Sequence, residues 1–505
     1  MTRVSTNNVG FQYAVETTPG VLPGSPTWFV TEPNDITAAG AKLTRVARQP
    51  ISKLRQARKG AIVNLESSVE YECDVTMSAV YDVVEGFVFA ESVNVDLAFR
   101  AAPVLTTGYT IPAATADQAA KIQFSGTVAT LIYARGYSTA ANNGLKVLTA
   151  DTAAAGVLLA AGGQGLVVEA SPPTNARVEV AGIRPAAADL SIVVTGTTAV
   201  LTSAASINFT TIGVKVGQFV HVGGLLAANQ FSAAVGFARI TAITATTLTL
   251  DKLLGTFATD TGAGETVDLL FGQFIRNVAT DADAYDTRYL ERTVQYELFY
   301  PDLLTGPADG FKYPEGNYFN TLGINLPLNN KATMSVGLLG LNTPAITGTR
   351  KTNASAGVLP VMTAAFGTAS DIARLTTRIG ATTPTVCFQS LTLNLNNNAS
   401  RENCLGTLGA TYVNVGIFGV QLQGQVVFTS EDIPNAVRNN TTVSLDFVLH
   451  NQDGTIVLDL PSMELDGGDE EFPLNQSVKV NFTGNAFADA TLNTSIGISL
   501  FPVTP

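Results

Sequence analysis

The sequence is poor in the residues that most active-site chemistry needs. It has two histidines, three cysteines and one tryptophan in 505 residues. His221 and His450 are isolated and no HExxH spacing occurs, so a histidine-rich metal centre is not expected. Cys73, Cys387 and Cys404 are too few and too scattered for a disulfide framework or a zinc cage. They read as free thiols made in a reducing cytosol. No glycine-rich phosphate loop, GxSxG elbow or Cys–His nucleophile pattern is present. Charged residues are only 14% of the chain, which is low for a soluble monomer and fits a subunit that hides surface in an assembly. Mean hydropathy is +0.23, yet no apolar run approaches the ~20 residues that span a bilayer. Residues 1–13 lack the apolar core of a secretory signal, so export is not expected. The reading is no enzyme, no cofactor and no metal.

What is present is β-pattern. Val, Thr, Asn, Gly and Ala dominate, alternation is frequent, and 505 residues are enough for two to four domains. Thr293–Tyr300, Thr321–Leu326, Gln389–Leu395 and Val443–Leu449 alternate cleanly. Two segments break the pattern. Residues 78–90 carry Val80, Val83, Val84, Phe87 and Val88 at helical spacing, with Ser78 as the expected cap. Residues 432–440, DIPNAVRNN, read as a second short helix.

Against a net charge of −12, one stretch is strongly basic. Lys42, Arg45, Arg48, Lys53, Arg55, Arg58 and Lys59 follow one another with no acidic residue between. Such a run repels itself unless counter-charges come from elsewhere. It reads as an arm reaching from one subunit onto acidic surface of another. A nucleic-acid patch is disfavoured, because no aromatic residue is interleaved for base stacking. Candidate acidic counter-surfaces are Asp281, Asp283 and Asp286, or Glu464, Asp466, Asp469, Glu470 and Glu471. The second group lacks EF-hand spacing, so a docking surface is preferred to calcium.

The two ends of the chain resemble each other. Pro327-Leu328-Asn329 and Pro473-Leu474-Asn475 each follow a strand and precede another that ends in Gly340 or Gly484. Upstream, strand, polar segment, strands and short helix recur in the same order. Within the first copy, residues 101–280 are rich in Ala, Gly and Thr and contain an internal repeat, 134–150 against 222–252, each with an Ala-Asn loop. The expected organisation is all-β, with two tandem domains each bearing a short helix. Domain 1 comprises 1–100 and 281–345, interrupted by small β-units at 101–195 and 196–280. A linker spans 346–384, and domain 2 spans 385–505. Three such chains could form a pseudo-sixfold ring, and head-to-tail contacts that do not close would stack rings into a filament.

The chain resembles the major tail tube proteins of long-tailed bacteriophages. The likeness rests on Tyr13–Glu16 with Thr18–Gly20, on the arm Gln49–Ser52 with Arg55 and Lys59-Gly60, and on the helix 78–90. In the C-terminal part it rests on Leu391–Asn394, Gly406-Thr407, Asp453-Gly454, Leu460-Pro461 and the terminal strand to Phe501-Pro502. It covers roughly 1–95 and 285–505. It implies β-sandwich or barrel domains lining a tube that conducts DNA without binding it, with Ig-like insertions outside. Implied partners are other copies of the chain as homotrimer rings, a tape measure protein, a tail terminator and distal tail proteins. The implied location is the virion tail, assembled in the host cytoplasm. Many family members have one β-domain and form hexamers, whereas a doubled chain favours trimers. The alternative is a multi-domain Ig-like surface adhesin that binds glycans. It would need an export signal and leaves the basic arm unexplained.

Overall fold

The computed structural model describes residues 4–49, 51, 53, 56, 58–90, 92, 104–105, 109–110, 129–152, 157–160, 165–204, 207–277, 289–304, 308–380 and 382–505. Within them the chain is all-β, with antiparallel ladders throughout and two short α-helices. One continuous run of eight strands frames the molecule. The eight are β1 (Pro33–Arg48), β2 (Arg58–Asp74), β3 (Asn317–Pro327), β4 (Thr333–Gly340), β5 (Cys387–Asn396), β6 (Gly419–Val427), β7 (Gly454–Glu471) and β8 (Lys479–Ala486). Their spatial order is β1-β2-β4-β3-β5-β6-β8-β7. The helices are α1 (Met77–Val88), after β2, and α2 (Asp432–Arg438), after β6.

The first four strands and the last four are wired alike. In each set a hairpin leads to a helix and later to a second hairpin, whose returning strand pairs with the first hairpin. β4 meets β2 over eight rungs, Thr333 opposite Asp74 through Gly340 opposite Ser67. β8 meets β6 over the same eight, Lys479 opposite Val427 through Ala486 opposite Val420. A β-bulge also recurs, between Pro33 and Asp35 in β1 and between Phe388 and Ser390 in β5. A one-residue slip would have put every side chain on the wrong face, so shared register is a stringent agreement. Both Pro-Leu-Asn turns hold their asparagine in the left-handed region, with φ 53° at Asn329 and 59° at Asn475. Asparagine tolerates that conformation better than other residues with a Cβ.

Alternation divides the sheet into two faces. One face is buried. Leu322, Ile324, Val336, Leu338, Leu393, Leu422, Val480 and Phe482 enter a single core with α1 and α2. α1 sinks Phe87 and Val83 into it, and Phe87 meets Phe319 edge-on at 5.1 Å. Each such side chain stabilises the fold by roughly 1.5–3 kcal/mol. The cap of α1 differs from expectation. Thr76, not Ser78, accepts the Ala79 N–H at 3.1 Å, while Ser78 lies buried in the first turn and accepts the Met362 N–H.

A second layer closes the core. Gly10–Val15 pairs with Thr293–Leu304, and Ile372–Ile379 pairs with Val443–Asn451. Thus the segment expected to be a linker is structured: its strand stands in the second set where Gly10–Val15 stands in the first. Met362 and Phe366, in the same segment, are fully buried in the core. Beyond the second layer lies an inserted body, whose strands join in one 12-stranded sheet over two separate hydrophobic clusters. The repeated Ala-Asn loops are 3-10 turns at Ala140–Asn142 and Ala227–Asn229, each joining an antiparallel hairpin. The last part of the stretch read as inserted, Gln273–Arg276, belongs to the main sheet, paired with Gly497–Phe501.

Candidate functional site

Among the described residues, no layer covers the outer face of the eight-stranded sheet. In the centre β3, β4 and β5 present Thr321, Asn325, Ser335, Thr392 and Asn394. β6 and β8 present carboxamides: Gln421, Gln423 and Gln425 beside Asn481 and Asn485. These bind one another. Gln423 donates to Gln421 at 3.1 Å, Gln421 to Asn485 at 3.2 Å, and Gln425 to Asn481 at 3.0 Å. Carboxylates crowd the two margins. Glu66, Glu70 and Glu72 stand on β2, and Glu464, Asp466, Asp469 and Glu471 on β7. Below the basic arm, the described cations whose register puts them on this face are Lys42 and Lys479, directly opposite Glu66 and Glu471. The face is therefore neutral in the middle and acidic at its margins.

Both margins are open. β1 pairs with β2 alone, and residues 464–471 of β7 pair with β8 alone, among the described residues. Such edges offer unpaired N–H and C=O groups to another chain. The acidic run expected as a counter-surface is thus a strand edge. Its carboxylates are spread along a ladder, and they bind amides: Asn485 donates to Asp466 at 2.9 Å and Asn481 to Glu471 at 2.5 Å. Glu470 lies opposite Val480 and so alternates to the other face.

The basic residues sit on the β1–β2 hairpin. Arg45, Arg48, Lys53, Arg58 and Lys59 are exposed, and no ion pair among the described residues reaches them. Arg55 lies outside the described residues, as do Asp281, Asp283 and Asp286. Within one chain the arm does not meet the 464–471 edge, because the two lie at opposite margins of the sheet. The counterpart loop of the second set, between β5 and β6, folds back instead. Arg401 donates to the carbonyls of Gly340 and Ser67, and Asn397 to those of Phe87 and Phe319.

A second cluster was not legible in the sequence. Behind the second layer, Asp446 receives Arg374 and Arg378 at 2.5 Å each and Lys252 at 3.4 Å. Asp459 receives Lys252 at 2.6 Å and Arg239 at 2.8 Å. Burial alone would raise the Asp459 carboxyl, but Lys252 and Arg239 outweigh it and hold it below the usual range. Lys252 and Arg239 come from the inserted body, Arg374, Arg378 and Asp446 from the second layer, and Asp459 from the first half of β7, directly opposite Asp446. The cluster, with Phe219 and Phe237 packed on Val448, Val457 and Phe501, fixes the insertion to the side opposite the open face. Burial also pushes His221, whose Nδ1 lies 2.8 Å from the Gly223 carbonyl, down to about 4.

A family model described as phage tail tube protein matches residues 232–486, just over half of the chain. The match starts inside the inserted body, in or beside its strand Ala234–Ile243, and ends with β8. It does not reach residues 1–95, where part of the resemblance was read. No curated protein matches the chain.

Proposed function

The chain belongs to the phage tail tube protein family, and from that premise we propose that three copies close into a ring whose bore is the open sheet face. As a member of the family it is a structural protein that assembles with other phage proteins into a tail. The observation that carries the finer reading is the internal junction between β3 and β5. There the outer strand of the first set pairs with the outer strand of the second, from Thr321 opposite Asn396 to Pro327 opposite Ser390. The same junction repeated between chains would join the free edge of β7 to the free edge of β1. Carrying the register across by the shared rungs sets Pro473 opposite Asp35 and Phe472 opposite Ile36. Three chains then give six similar four-stranded units in one closed barrel.

The bore so formed would be lined by hydroxyls, carboxamides and carboxylates. Duplex DNA gains affinity chiefly where cations release its counterions, so such a wall lets DNA pass without holding it. The insertion would stand on the tube exterior. Assembly in the host cytoplasm, with a tape measure protein inside the bore and terminator and distal proteins at its ends, completes the reading.

The test is a cross-link. Ile36→Cys with Phe472→Cys, in a Cys387→Ser/Cys404→Ser background, places the new thiols at opposite margins of one chain. Oxidation is expected to produce covalent species up to three chains, with native mass spectrometry giving a trimer. Monomers at all concentrations, or closed rings of six chains, would overturn the proposal.

A further inference from the structure

The sheet is electrically polar along its strands. At one end, β2 runs nine residues (58–66) past its last rung with β4, about 30 Å of hairpin. Leu65 is buried and Asn64 receives Asn403, so the base is held, while residues 58, 59 and 61–63 are exposed. This end carries Arg45, Arg48, Lys53, Arg58 and Lys59, with Val46 and Ile51 exposed beside them. At the other end are the two Pro-Leu-Asn turns and the start of α2. Here stand Glu470 and Glu471 at the end of β7, and Glu431 and Asp432 at the start of α2. Leu328 is 55% exposed and Leu474 88% exposed, each at the first position of its turn. Two equivalent leucines displayed on equivalent turns are not a consequence of folding either turn, since a solvated turn gains nothing from an apolar tip.

We propose, resting on the ring described above, that the turn end is the surface that receives the arm of the next ring, and that this pairing sets the direction of stacking. The partner is a second copy of this chain. Glu470, Glu471 and Glu431 receive Lys53, Arg58 and Lys59, and Leu328 and Leu474 insert against apolar side chains such as Val46 and Ile51. Turning one ring over would oppose arm to arm and carboxylate to carboxylate, so like charges exclude the reversed contact. The head-to-tail contact does not close, and a tube follows. This narrows the acidic counter-surface: Glu464 and Asp466 lie further along β7 and face the bore.

Charge exchange in the full chain tests it, with ring mass and stack length read separately by native mass spectrometry and negative-stain microscopy. Glu431→Lys/Asp432→Lys, at the start of α2 and off the β7 edge, is expected to keep the ring mass and shorten stacks at least about tenfold, since three arms act together. Lys53→Glu/Arg58→Glu/Lys59→Glu should do the same, and the two sets combined should restore stacking. Leu328→Ser/Leu474→Ser should shorten stacks without changing their salt dependence. Wild-type stacking in the Glu431→Lys/Asp432→Lys chain, or no rescue in the combined chain, overturns the proposal. Loss of rings in the wild type would instead refute the ring reading.

Discussion

The two four-stranded sets share rungs, a bulge and a turn, yet their exposed chemistry has parted. The first set shows Glu66, Glu70 and Glu72 and sends its hairpin outward with a basic tip. The second shows Gln421, Gln423 and Gln425 and folds its loop back over the first. Buried positions have kept their pattern because a change of register costs the whole core. Exposed positions were free to differ, and they differ where each set has different neighbours. The second set's loop finds its partner in the same chain. Among the described residues the first set's basic arm has no ion-pair partner there, which is the physical reason to look for its partner in another copy.

The comparison extends to a buried carboxylate behind each set. Glu297, opposite Gln12 in the second layer, is fully buried and receives Arg350 at 2.6 Å, and Arg350 is itself 31% exposed. Asp446, opposite Thr376, holds partners that are largely buried. Asp446→Ala leaves the buried Arg374 charged and without a carboxylate, while Lys252 keeps Asp459, and about 3–5 kcal/mol of stability is expected to be lost. Glu297→Ala should cost less, because Arg350 can reach water. Denaturant unfolding of both variants checks the order, and an equal or reversed order would break the comparison.

A pH effect should separate the insertion from the repeats. His221 is pushed from 6.5 down to about 4 by burial, so the unfolded chain binds its proton first. Its contribution is complete above pH 6.5 and is lost as pH falls from 6.5 toward 4. The melting transition that includes the insertion should drop across that window and flatten in His221→Phe. A smaller effect is expected at the two turns. Asn329→Ala and Asn475→Ala each place an alanine in the left-handed region at a cost of about 1 kcal/mol. Glycine at either position should restore most of it. Matching values from chemical denaturation would sharpen the equivalence of the turns, and a loss at one alone would weaken it.

Much of this was legible because it is written in short-range pattern. Alternation gave the strands, helical spacing gave α1, and the two Pro-Leu-Asn turns gave the correspondence of the halves. The strand Ile372–Ile379 was hidden for a physical reason. Its Arg374 and Arg378 look solvent-facing in sequence, but both reach Asp446, which lies some 70 residues on. Met362 and Phe366 stand in the Thr- and Ala-rich stretch read as a linker, and only the tertiary fold buries them. Ser78 looked like the cap because it stands beside the apolar face. Thr76, with an extended backbone and a free hydroxyl, had the better geometry.

The insertion leaves the chain within the first set but is bolted to the other, to its second layer through Asp446 and to β7 through Asp459. A strap of that kind ties the two halves of each polypeptide into one stiff block, so bending in a tube built from them would fall between chains rather than within them. It also means that a channel appearing sixfold from inside would carry only three ridges on its outer wall.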